Sequence, residues 1–386
     1  MSIEFSETNR LNILIAPDSF KGSLPAQSVA QAIAAGIQQV LPQAQIKLLP
    51  MADGGEGTLD ALLYVLPGER HHAYVTDLLG VQRQVDYAVQ GQGPEAIAVL
   101  EAAQVVGFNL VGMSVVAQRS TLGLGELMRH CLDRNLRRFL VGLGGSGSND
   151  GGVGLLAALG VRFSDAAGKL ITPNLEGLAA LHSIAWEQLD SRLAECDITL
   201  LSDVDNPLCG AQGATAIFGP QKGVAEKDVA QFDARLQQFA QLGDAWTGRV
   251  LSLESGAGAA GGLGYALLLC GAKVRPGAEA ICVYSQLDAA LAAADWVITG
   301  EGKSDVQTLH GKLPWVVAQH ARRAQVPALL LSGTIEDSAL PALASTFTAC
   351  YTLVGEGISE TQAKQETAHC LTERARQIAR ALLAQA

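Results

Sequence analysis

Short apolar runs that stop at Gly, Asp, Ser or Pro, each followed by apolar residues at helical spacing, set the rhythm of this chain. Residues 11–16 (LNILIA) end at Pro17-Asp18, and Val29, Ile33, Ile37 and Val40 or Leu41 then recur on one helical face. Ser23 is the expected N-cap of that helix, with Pro25 in its first turn. Ile46 to Leu49 ends at Pro50, gives way to Ala52-Asp-Gly-Gly-Glu-Gly-Thr58, and is followed by Leu59, Leu62, Leu63 and Leu66 at helical spacing. Farther along, Phe139 to Leu143 runs into GGSGSNDGG, Ile198 to Leu201 into Ser202-Asp-Val-Asp-Asn-Pro207, Trp296 to Ile298 into Thr299-Gly-Glu-Gly-Lys-Ser-Asp305, and Leu329 to Leu331 into Ser332-Gly-Thr. Strands joined by helices in this way are parallel with right-handed crossovers, so their polar loops collect along the carboxyl edge of the sheet. The pattern predicts an α/β protein. No fixed-period repeat or low-complexity linker divides it, and Pro67-Gly68 and the stretch Leu291 to Asp295 are the candidate boundaries.

The 386 residues allow two or three domains at about 150 residues each. A formal charge of −11 repels phosphate backbones and acidic lipid, which argues against nucleic acid or membrane as partner. Seven scattered Cys with no Cys-x-x-Cys pair read as buried thiols in a reducing compartment, without disulfides or a zinc site. The opening MSIEFSETNR has no apolar run and reads as neither secretory nor transit leader, so the expected location is cytoplasmic. Ser255 to Ala272 is uncharged and nearly long enough to span a bilayer, but its Gly/Ala half (GAGAAGGLG) is a poor helix.

Successive Gly and Ser amides in Gly142–Gly152 (GLGGSGSNDGG) suit an anion such as a phosphate. The same stretch fits Gly142-x-Gly144-x-x-Gly147, a dinucleotide fingerprint, with Asp165 at the end of a possible strand from Val161 to Phe163. That supports an alternative reading as an NAD(P)-dependent dehydrogenase of a small hydroxy acid. A tight turn with close helix–strand packing explains the glycines equally well, and a second match, Gly256-x-Gly258-x-x-Gly261, shows how readily a Gly-rich chain produces the pattern. Gly302-Lys303-Ser304 resembles the end of a P-loop, but Val297 stands where its first Gly belongs. The kinase HRD and DFG motifs and His-Glu-x-x-His are absent, and His71-His72 read as a surface loop.

Acids and lysines among these loops are more telling. Asp53 and Glu56 follow one strand, Asp203 and Asp205 another, Glu301 and Asp305 a third, with Lys21, Lys303 and Lys312 in comparable turns. Carboxylates suit Mg²⁺ carrying waters and phosphate oxygens, and lysines neutralise a transferring phosphoryl group. Each acid alone reads equally as a helix cap or a solvated turn. A non-catalytic two-domain binding protein accounts for the glycine loops but not for this accumulation of charge.

Ile15-Ala-Pro-Asp-Ser-Phe-Lys-Gly-Ser23, Pro50-Met-Ala-Asp-Gly-Gly-Glu-Gly-Thr58, Gly144-Gly-Ser-Gly-Ser-Asn-Asp-Gly-Gly152, Asp203-Val-Asp-Asn-Pro-Leu208, Phe218-Gly-Pro-Gln-Lys-Gly223, Gly256-Ala-Gly-Ala-Ala-Gly-Gly-Leu-Gly264 and Thr299-Gly-Glu-Gly-Lys303, in this order, resemble the bacterial class I glycerate kinases over nearly the whole chain. The resemblance implies transfer of the ATP γ-phosphoryl group to D-glycerate, at the 2-hydroxyl, in glyoxylate or sugar-acid catabolism. It also implies a flavodoxin-like parallel-sheet domain built from both chain ends (1–68 and 294–386), an inserted central α/β domain (69–293), and an active site in the cleft between them. A homodimer is compatible with this and not required by it.

On that reading Asp203 is the base that orients the hydroxyl, and Asp205 and Asp53 hold Mg²⁺ directly or through water. Lys21 takes phosphoryl or carboxylate charge, Lys303 with Glu301 forms the opposite lip, and Asp18, Ser19 and Asn206 contact substrate. Gly144, Gly145, Ser146, Ser148, Asn149 and Asp150 form a cradle for ATP phosphates or for the glycerate carboxylate. Gly258, Ala259 and Gly261 are a further anion loop, and Arg119 is a candidate for bidentate pairing with a carboxylate.

Overall fold

The computed structural model describes residues 11–355 and 357–384; the first ten residues, read above as no leader, lie outside them. In chain order the strands are β1 (Asn12–Ile15), β2 (Gln45–Leu48), β3 (Gly68–Thr76), β4 (Gln82–Gln90), β5 (Ile97–Glu101), β6 (Arg138–Gly142), β7 (Arg162–Ser164), β8 (Ser183–Ala185), β9 (Asp197–Leu201), β10 (Lys273–Arg275), β11 (Trp296–Thr299), β12 (Lys303–Ser304), β13 (Ala328–Ser332), β14 (Thr334–Ile335) and β15 (Ala349–Thr352). The chain divides into two compact units: one holds the segments up to Asp53, Asp60–Leu66 and from Ala278 onward, the other Gly54–Leu59 and Pro67–Gly277.

In the first unit five strands pair in the order β2-β1-β11-β13-β15, every neighbour parallel. Counted within the unit, this is the 2-1-3-4-5 order of flavodoxin-like sheets, whose reversal point falls between β1 and β11. Both chain ends therefore build one sheet. Ile13, Ile15, Ile298, Leu329 and Leu331 form its core with Val29, Ile33 and Ile37 of the helix Ala26–Val40, each apolar side chain contributing about 1.5–3 kcal/mol. That helix lies against Thr367–Leu383, and a Cβ on Gly36 would stand 2.8 Å from that of Ala375. Pro25, not Ser23, occupies its N-cap, without a side-chain bond. The Ser23 hydroxyl donates to the Lys364 carbonyl (3.0 Å), so tertiary packing has claimed the group that local sequence offered as a cap.

The return to the first unit comes at Gly277/Ala278 rather than between Leu291 and Asp295. The helices Gly277–Tyr284 and Leu287–Leu291 are tied to Leu313–Arg323 through His320, whose Nδ1 lies 2.6 Å from Asp288 and whose Nε2 lies 3.2 Å from Glu279.

The second unit carries a six-stranded sheet, β10-β9-β6-β5-β4-β3, parallel from β10 to β5 and antiparallel through β4 and β3. His71 and His72 lie on β3, not on a loop, and the His71 ring stacks on Tyr87 of β4. The run Val161 to Phe163 matches β7, but β7 pairs with β8 outside the large sheet. Ser255–Ala272 contains the helix Ala259–Leu269, interrupted by left-handed backbone at Ala260, Gly261 and Gly262. Among the described residues no helix is long and apolar enough to cross a membrane.

Candidate active site

Open parallel sheets bind ligands outside the carboxyl ends of their strands at the reversal point. In the first unit that point is where β1 runs into Ala16–Lys21 and β11 into Gly300–Asp305. Backbone bonds lock these loops together: the Asp18 amide donates to the Gly300 carbonyl (2.9 Å), and the Gly333 and Thr334 amides donate to those of Glu301 and Gly302 (both 3.1 Å). A cavity of about 370 Å³ opens there, lined among others by Asp18, Lys21, Asp53, Glu301, Lys303 and Lys312. Ser19 also lines it.

The charges in this cavity are unevenly matched. Lys21 Nζ lies 2.8 Å from Asp53 Oδ2. Burial would lower the Lys21 pKa, but the charges of Asp53, Asp18 and Glu301 outweigh it and hold the ammonium above its ordinary value. Asp18 is 4% exposed, and burial, reinforced by the Asp53 charge, pushes its carboxyl well above the usual carboxylate range, although the Ser19 amide donates to its Oδ1 at 2.6 Å. Glu301 is buried too, its pKa raised by that burial, and it accepts from Ser304 (3.0 Å) and Thr308 (2.7 Å). Lys312 stands 3.9 Å from Glu301 and 3.0 Å from Asp305. Lys303 is exposed and pairs with Glu336 at 2.6 Å, across β12 and β14.

Among the described residues no three His, Cys, Asp or Glu side chains converge as a ready metal cage. Mg²⁺ needs none, since in phosphoryl-transfer sites one or two carboxylates hold it and waters and phosphate oxygens complete the shell. Asp18, whose ionisation the neighbouring Asp53 charge makes costlier, fits such a cation together with Asp53.

In the second unit the loop after β6 holds Gly144–Asp150, but many of its polar groups are already engaged. The amides of Gly147 and Gly151 donate to the carbonyls of Val106 (2.7 Å) and Gly261 (2.9 Å). Asp150 is fully buried and accepts from the Thr121 amide and hydroxyl (both 2.8 Å), Gly152 (3.0 Å) and Gly154 (3.3 Å), so all four partners are protein groups at helix starts. Asn149 donates to Thr215 Oγ1 at 3.0 Å, and its Oδ1 is buried without a partner. Gly258 and Gly261 are places where backbone meets backbone: a Cβ on Gly258 would overlap the Pro207 carbonyl, and one on Gly261 would come within 2.7 Å of Asn149 Cα.

The dinucleotide fingerprint is not built. The helix after β6 begins at Val153, beyond Gly147, and the Asp165 carboxylate closes its own turn by accepting from the Ala167 and Lys169 amides (3.0 and 2.9 Å). Arg119, 3% exposed, engages no carboxylate: Nη1 donates to the carbonyls of Gly147 and Lys222, Nη2 to that of Ser114, all at 2.9 Å, and Nε to the Ser114 hydroxyl at 3.0 Å. Asp203 and Asp205 are exposed after β9; the first accepts from the Gly277 amide and the second from the Ser255 hydroxyl, both at 2.7 Å. Asn206 donates to the Gln212 carbonyl at 2.8 Å.

Lys222 went unassigned in the sequence. It is 5% exposed, with Nζ 2.7 Å from the Ser148 carbonyl and 3.2 Å from Ser146 Oγ. Its one sequence signal is the segment Phe218–Gly223, one of the stretches that carry the family resemblance.

A family model described as the Glycerate kinase family matches residues 13–383. The glycerate kinase of Halalkalibacterium halodurans is 37% identical over 370 residues, which is 95% of this chain and 97% of that protein. The glycerate 2-kinase of Escherichia coli is 38% identical over 337 residues, 85% and 86% of the two chains. The crystal structure of a protein from Salmonella typhimurium LT2, assigned as a glycerate kinase 2, is similar with a TM-score of 0.83 and 38% identity, covering 98% of this chain and 99% of the other.

Proposed function

Because the chain belongs to the glycerate kinase family, and so is an enzyme that phosphorylates glycerate, we propose that ATP is its phosphoryl donor, the 2-hydroxyl of D-glycerate the acceptor, and 2-phospho-D-glycerate the product, with Mg²⁺ assisting. The observation that carries this reading is the cluster of Asp18, Lys21, Asp53 and Glu301 at the reversal point of a flavodoxin-like sheet. Its cavity of about 370 Å³ is within the range of small-molecule pockets and far larger than a three-carbon acid needs.

Asp53, with Asp18 in electrostatic reach, would hold Mg²⁺ in the first unit, and Asp205 is the candidate metal ligand of the second. When bound, the metal supplies charge neutralisation between phosphate oxygens. Lys21 neutralises charge on the transferred group, held in place by Asp53. Asp203 accepts the hydroxyl proton as the glycerate oxygen bonds to the γ-phosphorus and the bond from that phosphorus to ADP breaks; its bond to the Gly277 amide fixes the carboxylate beforehand. Phosphoryl transfer asks little more of a protein than such positioning and charge. The reading places the reaction in the cytoplasm with neither nucleic acid nor membrane as partner, supported by the net charge of −11.

Incubation with ATP, Mg²⁺ and D-glycerate, followed by phosphorus NMR with and without EDTA, tests it. A metal-dependent 2-phosphoglycerate signal is expected. A 3-phosphoglycerate signal overturns the regiochemistry, and absence of ADP overturns the donor.

A further inference from the structure

Beneath the loop Gly144–Ser148 the second unit buries two cations against one acid. Arg119 and Lys222 are 3% and 5% exposed, and Asp150, the acid whose charge reaches Lys222, is already surrounded by four protein donors. Burial also raises the Asp150 pKa, so its negative charge is a weak counterweight. A guanidinium cannot shed its proton in a protein. An excess buried cation costs several kcal/mol unless an anion meets it, and among the described residues Asp150 is the acid whose charge acts on Lys222.

The two cations are placed differently. Arg119 directs its donors to the carbonyls of Gly147, Lys222 and Ser114 and to the Ser114 hydroxyl, so it fixes the loop. Lys222 has three N–H donors, and two are accounted for by the Ser148 carbonyl and Ser146 Oγ. Ser146 is only half-buried and Gly145 beside it is exposed, so this hydroxyl links the buried ammonium to the accessible part of the loop.

We propose that Lys222 and Ser146 form an anion site, in which the ammonium and the hydroxyl together take a carboxylate or phosphate oxygen of a substrate while Arg119 holds the loop in shape. The choice of substrates to offer rests on the glycerate kinase reading; the site itself does not. Burial, only partly opposed by the Asp150 charge and aided by that of Arg119, lowers the Lys222 pKa to about 7. An anion at the site restores the charge, so binding takes up close to one proton at pH 8 and almost none at pH 6.

Calorimetry of the full chain at both pH values, in buffers of different ionisation enthalpy, with sulfate, D-glycerate or ATP as ligand, tests the site. Lys222→Met protein provides the baseline that removes protons belonging to the ligand. The wild-type protein is expected to bind the relevant ligand about tenfold more weakly at pH 8 than at pH 6, as the charged fraction of the lysine falls. Proton uptake at pH 8 and the pH effect both vanish in Lys222→Met, whose affinity at pH 6 is tenfold or more weaker. An effect confined to glycerate identifies its carboxylate as the source; one confined to ATP identifies a phosphate. If glycerate and ATP fail to bind but sulfate shows the uptake, the site stands and the substrate reading falls. Binding to the wild-type protein with Lys222-dependent proton uptake for none of the ligands that bind, or no binding of all three to folded protein, overturns the site.

Discussion

Replacing Lys222 with Met should make the unliganded protein more stable in mild acid and less stable in alkali. In the folded state this lysine titrates at about 7, against an ordinary 10.5. Between those values the unfolded chain binds more protons than the folded one, so wild-type stability rises with pH across that window. Below about pH 7 the full cost of burying the ammonium is present. At about 1.4 kcal/mol for each pH unit, its ceiling is about 5 kcal/mol. Methionine keeps the stem but abandons the Ser148 carbonyl and Ser146 hydroxyl, a loss of about 1–3 kcal/mol. The balance favours the variant by about 2–4 kcal/mol at pH 6. At pH 10 a neutral amine still serves both oxygens, and after about 1 kcal/mol for deprotonating the lysine of the unfolded chain the wild type leads by up to about 2 kcal/mol. Urea unfolding of both proteins from pH 6 to pH 10, without phosphate or sulfate, reads the difference directly. Parallel stability curves, or a variant already several kcal/mol weaker at pH 6, would falsify the account of Lys222 as a buried excess charge and leave it an ordinary hydrogen-bonding staple.

Three further substitutions probe the remaining assignments. Lys21→Met leaves Asp18 and Asp53 without the ammonium that sits against them, and kcat/KM measured by ADP release should fall about 100-fold or more; unchanged kinetics for both substrates sinks its role. Asp203→Asn should lower kcat about 100- to 10,000-fold with the circular dichroism spectrum retained, whereas near wild-type turnover removes Asp203 from the position of base. Gly261→Ala places a methyl near Asn149 Cα at a backbone φ of 71°, costing about 1–2 kcal/mol for the left-handed backbone and about 1–3 kcal/mol for overpacking. A urea midpoint equal to that of the wild type contradicts the close packing described for that position.

The strands β1, β6, β9, β11 and β13 were legible because each is a largely apolar, mostly buried run ended by small polar residues, whereas β5 went unread and the short edge strands β10 (KVR) and β15 (ACYT) offer no apolar run. β3 and β4 were not legible, because their apolar residues alternate with Arg, His, Gln and Asp on a half-exposed hairpin, leaving no run to notice. Spatial order is a long-range property, so local pattern delivers β1 and β11 as strands but not as neighbours at a reversal point; that came from resemblance. Glycine is ambiguous for a physical reason: the same missing Cβ permits approach to an anion or to another backbone. Gly258 and Gly261 belong to the second kind in the unliganded chain, since the Gly151 amide reaches the Gly261 carbonyl and the Gly258 amide that of Asn206. Lys222 was hidden for the opposite reason, because a lysine between Gln and Gly normally lies in solvent, and only the tertiary fold closes over it.

The two candidate sites share one electrostatic character with opposite sign. In the first unit burial and a neighbouring carboxylate make Asp18 reluctant to ionise; in the second, burial and a neighbouring guanidinium make Lys222 reluctant to stay charged. Neither imbalance helps the unliganded protein fold, and on the proposed reading each would be relieved by a different kind of ligand, a cation at the carboxylates and an anion at the lysine. A protein that only needed stability would replace both with apolar residues of similar volume at little cost or at a gain. Keeping fixed, poorly compensated charges is what phosphoryl transfer asks for, because dipoles and ions already in position need no reorganisation when charge develops on the reacting group. The stability given up at Asp18 and Lys222 is therefore a measure of how far each site is prepared before its ligand arrives.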